Sequence, residues 1–200
     1  MQIILTTSLS AIILTPALAQ SAVVISEIDF NNNIVEIANT GTTAVDLSSY
    51  WFCNVPTYRQ ATDSGFSIAA SSTASSLTVG VGEVLVLNIT DNLAASNGEF
   101  GLYSSASFGS AAAIVDYVSW GAASGRDSVA DAAGIWDDGT FIDTSSLISG
   151  QTIQLNENSA GNSVSDYFIG SASFGTIPEP STGLLAMLGG LSLISRRKRA

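Results

Sequence analysis

The sequence predicts an all-β domain, and three observations predict it. Residues 20–176 contain short runs rich in Val, Ile, Leu and aromatic residues, of strand length. Clusters of Asn, Gly and Asp separate these runs: Asn31-Asn32-Asn33, Asn39-Thr40-Gly41, Gly80-Val81-Gly82, Asn97-Gly98 and Asp138-Gly139. No long amphipathic pattern stands between them to make parallel βαβ units, so a sandwich or barrel is expected.

In chain order the expected strands are 23–30, 34–38, 65–68, 76–79, 83–89, 99–103, 113–120, 152–155 and 166–169. Val35 and Ile37 alternate with Glu36, the pattern of a half-buried strand. Val84-Leu85-Val86-Leu87 is apolar on both faces and suits a central strand covered on both sides. Phe30, Tyr50, Trp51, Phe100, Tyr117 and Trp120 are the expected large core or rim residues. The chain divides into 1–19, 20–156 (the domain), 157–176 (a polar end and linker) and 177–200.

Composition excludes several kinds of chemistry. The 200 residues include 17 acidic and 6 basic side chains, a net charge of −11. Four of the six cations are Arg196, Arg197, Lys198 and Arg199, so the rest of the chain holds only Arg59 and Arg126. Such a surface repels phosphate backbones, and no nucleic-acid partner is expected. There is no histidine, which removes the commonest general base and the commonest transition-metal ligand. The single cysteine, Cys53, allows no internal disulfide and no thiolate cluster. Hydrophobic residues make up 46% of the chain, so the domain has the material for a core that stands without crosslinks.

Both ends read as targeting segments. Residues 1–19 are apolar and end in Ala17-Leu18-Ala19, the small-x-small pattern before a signal-peptidase cut at Gln20. No Lys or Arg lies near Met1, a departure from the usual form. At the other end Pro178-Glu179-Pro180 precedes an apolar run, 183–195, and then the four cations. The run has 13 residues and as a helix spans roughly 20 Å, short of the ~30 Å hydrocarbon core. The prolines end any upstream helix, Ser181 or Thr182 can cap a new one, and the basic end fits a cytoplasmic stop.

These last residues resemble the PEP-CTERM sorting signal of bacterial exported proteins. The resemblance implies recognition and processing by a membrane exosortase. Pro178, Glu179, Pro180, Arg196, Arg197, Lys198 and Arg199 would form the sorting signal, with the tail holding the protein transiently in the inner membrane as a transmembrane helix. The protein is then a substrate of that enzyme.

A second resemblance covers roughly residues 22–122. Ser26-Glu27-Ile28, Val35-Glu36-Ile37-Ala38-Asn39-Thr40-Gly41, Val45-Asp46-Leu47-Ser48-Ser49-Tyr50 and Ile114-Val115-Asp116-Tyr117-Val118-Ser119-Trp120-Gly121 are similar to a lamin-tail domain. The family implies an immunoglobulin-like β-sandwich and brings no catalytic residues. Beyond residue 122 the resemblance is loose, and 122–150 reads as an insertion or irregular connection.

Little in the domain carries chemistry. A Ser-His-Asp or Cys-His arrangement is impossible without histidine. Cys53, beside Trp51 and Phe52, reads as a buried small hydrophobe rather than a reactive thiol. Carboxylates are the plentiful reactive groups, and a pair of them can hydrolyse glycosides. One pair stands out: a two-residue turn at Asn31-Asn32 puts Glu27 directly opposite Glu36, where like charges repel. Either both are solvated, or the register is shifted, or a cation such as Ca²⁺ lies between them. Asp137-Asp138-Gly139 reads first as a tight turn and only second as a calcium ligand set. Trp51, Trp120 and Trp136 read first as packing and second as sugar platforms. No catalytic, cofactor-binding or metal residue is assigned.

The function expected is that of an exported envelope or extracellular-matrix protein with a structural or adhesive domain. Its partners would be the export machinery, exosortase, and extracellular polysaccharide or surface proteins. The alternative is a secreted hydrolase using a carboxylate pair, with or without calcium.

Overall fold

A computed structural model of the chain describes residues 23–54, 57–122, 125–157 and 159–176. The residues read from the sequence as a signal-peptidase site, Ala17, Ala19 and Gln20, lie outside the described residues. So do Pro178, Glu179, Pro180, the apolar run of the tail and Arg196–Arg199.

The described chain is all-β apart from one short α-helix and one 3₁₀ turn. Its strands are β1 (Val23–Asp29), β2 (Ile34–Asn39), β3 (Val45–Asp46), β4 (Trp51–Asn54), β5 (Thr57–Gln60), β6 (Phe66–Ile68) and β7 (Thr78–Val79). There follow β8 (Val84–Ile89), β9 (Gly98–Tyr103), β10 (Ile114–Trp120), α1 (Asp127–Ala132), β11 (Gln151–Leu155) and β12 (Tyr167–Ser171). A six-stranded sheet has the order β12-β11-β1-β2-β8-β6, a four-stranded sheet the order β10-β9-β4-β5, and β3 pairs with β7. All named strand pairs are antiparallel. The arrangement is consistent with a β-sandwich, with rings of Phe52 in β4 and Phe66 in β6 meeting at 4.8 Å between the two large sheets.

Each expected strand has a counterpart, displaced by a residue or two at its ends. Sequence reading missed β3, β4 and β5. The first is two residues long, and β5 is Thr-Tyr-Arg-Gln, a polar edge strand whose composition carries no apolar alternation. The segment 122–150, expected as an irregular connection, contains α1. It also carries Trp136, which packs against Tyr117 and Tyr167. Ile142 bridges to Trp120 in parallel and covers the free edge of β10.

The β1–β2 hairpin shows why the register holds. Asp29 accepts hydrogen bonds from the backbone N–H of Asn31 at 2.7 Å and of Asn32 at 3.2 Å, and from the Asn32 amide at 2.7 Å. Asn33 takes the left-handed conformation, φ +53°, that Asn tolerates. The turn therefore pairs Asp29 with Ile34, Ile28 with Val35, and Glu27 with Glu36. Between Glu27 and Ile25 the register shifts by one residue, a bulge at Ser26.

The bulge in β1 frees a backbone donor, and the other sheet answers it. The Ile25 N–H donates to the carboxyl of Asp116 in β10, itself beside a second bulge between Ile114 and Asp116. The Tyr167 hydroxyl donates to the Ile25 carbonyl at 3.0 Å. Both groups of Ile25 are thus satisfied from other strands, and the two sheets are joined where β1 passes β10.

The core holds Ile25, Ile28, Val35, Ile37, Leu85, Leu87, Phe52, Phe100 and Leu102. Phe30, Tyr117 and Trp120 are buried as expected, and Tyr50 and Trp51 lie at the rim. Strand β8 is central and buried on both faces at Val84–Leu87. Strand β2 departs from expectation: Glu36 is as buried as its apolar neighbours, so this is not a half-buried strand.

Candidate functional site

The register puts Glu27 and Glu36 side by side on the outer face of the six-stranded sheet. Both are almost wholly buried, at 2% and 1% exposure, so neither the solvated reading nor the shifted register holds. Two segments cover them. The chain after β12 runs back across β1 and β2, and the loop after β6 brings Ser71 against Gly175.

What takes the place of water is a set of donors. Glu27 Oε1 accepts from the Thr152 hydroxyl at 2.7 Å and from the Ser173 N–H at 2.9 Å. Its Oε2 accepts from the Ser173 hydroxyl, also at 2.9 Å. The Gln154 amide donates to Thr152 Oγ1 at 2.8 Å and to the Ser171 carbonyl, which holds β11 and β12 around the pair. Glu36 Oε1 accepts from the Ser26 hydroxyl and Oε2 from the Gly175 N–H, both at 2.7 Å. Burial, reinforced by the charge of Glu27, raises the Glu36 carboxyl to about 7, against the pull of the Ser26 and Gly175 donors.

A cavity of about 290 Å³ opens beside the pair, lined by Ser26, Glu157, Gln154, Phe168 and Thr176 as well as the two carboxylates. It has part of what carboxylate chemistry needs: two neighbouring acids, one with a raised pKa, at a concave surface. Yet every oxygen of the pair already accepts a hydrogen bond from the protein. Among the described residues no group of three or more His, Cys, Asp or Glu side chains is placed to hold a metal ion.

A second polar cluster lies on the four-stranded sheet. Glu99, fully buried, accepts from the Tyr117 hydroxyl at 2.7 Å and from the Arg126 N–H at 2.8 Å, with the Cys53 thiol at 3.5 Å. The Arg126 guanidinium donates to the Tyr58 hydroxyl at 2.7 and 3.0 Å. Burial and the neighbouring Glu99 push the Cys53 thiol up to about 12, so it stays protonated, as a packing residue would. The Tyr103 hydroxyl is buried and has no hydrogen-bond partner among the described residues.

Two of the tryptophans and the Asp137-Asp138-Gly139 stretch singled out in the sequence are placed as follows. Trp120 and Trp136 are buried, their indole N–H groups donating to the carbonyls of Ala94 at 2.8 Å and Thr140 at 2.9 Å. Asp137-Asp138-Gly139 forms a turn, with Gly139 at φ +73° and the Thr140 N–H on the Asp137 carbonyl. No described helix is long and apolar enough to cross a membrane. Sequence reading found the carboxylate pair but missed its cover: Ser173 and Gly175 lie 146 and 139 residues from the acids they bind, in a stretch read as linker.

That stretch ends where a known motif starts. Residues 176–199 match the PEP-CTERM protein-sorting motif. That motif implies an exosortase-targeted exported protein. No curated protein and no solved structure matches the chain.

Proposed function

We propose that this exported protein is a non-enzymatic component of the cell envelope or extracellular matrix, with a domain that has a structural or adhesive role. The tail would hold it transiently in the inner membrane until exosortase removes the signal. The match at 176–199 supports the route, and the engagement of the Glu27–Glu36 pair by the protein's own donors supports the lack of catalysis. A glycosidase needs one carboxyl free to give a proton and the other free to attack or to activate water. Burial of Trp120 and Trp136 favours a structural role over sugar binding through those rings. The similarity of residues 22–122 to lamin-tail domains, often accessory modules, points the same way, as does the sandwich-like pairing of strands.

The test is the intact mass of the protein recovered from its native envelope and medium. The expected mass lacks residues 1–19 and the stretch after about Pro180. A mass retaining 183–200 overturns the processing route. Release of reducing sugar from envelope polysaccharide by the purified domain, abolished in Glu36→Gln, overturns the non-enzymatic reading.

A further inference from the structure

The Glu27–Glu36 pair does more than survive burial, because three of its donors come from one short segment. After β12 the chain forms a strap, Ala172–Thr176, across the outer face of the sheet. Ser173 gives its N–H and its hydroxyl to Glu27, and Gly175 gives its N–H to Glu36. Phe174 between them packs against the core. Gly175 has φ +85°, and a Cβ there would strike the Ser71 carbonyl, so this position accepts only glycine without moving the strap. Thr176 closes the segment, its hydroxyl donating to the Ser173 carbonyl at 2.6 Å. Thr176 is also the first residue of the sorting motif.

We infer that Glu27 and Glu36 form a latch for the root of the sorting signal, holding Ser173–Gly175 on the domain so that the signal leaves from a fixed point. Three consequences follow. The strap Ser173–Gly175 is pinned by its hydrogen bonds and so resists a protease, which must lift its substrate away as an extended segment. Pro178-Glu179-Pro180 begins two residues beyond the latch, so cleavage is confined to a short stretch beside the folded domain. Six residues separate Thr176 from the apolar run at Gly183, which at full extension is roughly 25 Å. While its tail is in the membrane, the domain therefore stays within that distance of the bilayer. The biological meaning of the latch rests on the exosortase reading; the latch itself does not.

Chymotrypsin tests it on the purified full-length chain, with the Phe174–Gly175 bond as the reporter and cleavage after the exposed Phe141 as the control for general loosening. Initial rates at each site come from intact masses. In Gly175→Ala the strap must lift, and cleavage after Phe174 is expected to rise about tenfold while cleavage after Phe141 is unchanged. The Glu27→Gln/Glu36→Gln double variant, which keeps the shape but replaces one acceptor oxygen of each carboxyl by an amide NH2 that only donates, should fall between the two. Equal rates after Phe174 in wild type and Gly175→Ala overturn the latch, as does a parallel rise at Phe141. Failure of the sorting reading looks different: wild type recovered from cells keeps residues 183–200 while the chymotrypsin difference persists.

Discussion

Single side chains in this protein are governed by what burial does to polar atoms. Tyr103 is the informative case, because its hydroxyl is buried with no partner among the described residues, beside Cys53, Glu99 and Arg126. Desolvation holds that phenol above its ordinary range. A buried hydroxyl without a partner costs about 1–3 kcal/mol, so Tyr103→Phe should leave the protein as stable as wild type or raise it by about 1 kcal/mol. Urea unfolding of the two proteins decides it. A loss above about 1 kcal/mol would mean that the hydroxyl is satisfied in solution. Glu27 and Glu36 are the opposite case: both are more completely sequestered than most acids tolerate, and both are surrounded by donors. The sequence showed the pair, because turn chemistry at Asp29 and Asn31–Asn33 fixes register locally. It could not show the burial, because the covering donors are more than a hundred residues away.

At the scale of elements, the strands were legible where apolar and β-branched residues cluster and illegible where a strand is short or polar. Strand β8 was readable from four consecutive apolar residues. Strand β5 was not, since an edge strand has one open side and no need of apolar alternation. The end of β10 shows how an element is positioned by a single backbone conformation. Gly121 follows Trp120 at φ +73°, and a Cβ there would overlap the Ser96 carbonyl. Its N–H also bonds the Ile142 carbonyl at 2.9 Å. Gly121→Ala should cost about 2 kcal/mol or more, through left-handed strain plus displacement of the 94–97 loop that receives the Trp120 indole. Thermal denaturation followed by Trp fluorescence measures it. A wild-type melting temperature would show that the loop moves aside without cost.

For the whole molecule, two buried acids tie stability to pH. The Glu36 carboxyl is raised to about 7 and that of Asp116 to about 8, in both cases chiefly by desolvation. A raised carboxyl binds its proton more tightly in the folded chain than in the unfolded one. Its contribution is fully present below the unfolded values of about 4–4.5 and is lost as pH rises through 7 and 8. Carboxyls held low, such as that of Asp91 beside Arg59, act oppositely and favour folding less as acid protonates them. The melting temperature should therefore peak on the acid side of neutrality and decline from about pH 5 to pH 8. Glu36→Gln should flatten the part of that decline below about pH 7 and leave the Asp116 part. Melts across this range check it, and a wild-type melting temperature that rises toward pH 8 would contradict the assignment.

The sequence by itself determined the class of the domain, its net negative charge, the lack of histidine chemistry and the sorting motif at 176–199. Each of these is written in composition or in short contiguous patterns, so each is local. Only the tertiary structure decided that Glu27 and Glu36 are buried, that Asp116 crosses between sheets to meet Ile25, and that Ser173–Gly175 is a strap rather than a linker. The physical reason is that a polar group's partner is chosen by proximity in space. A Gly/Ser-rich segment has no apolar signature to mark where it docks, and its backbone N–H groups, present in every sequence, are the groups that bind here.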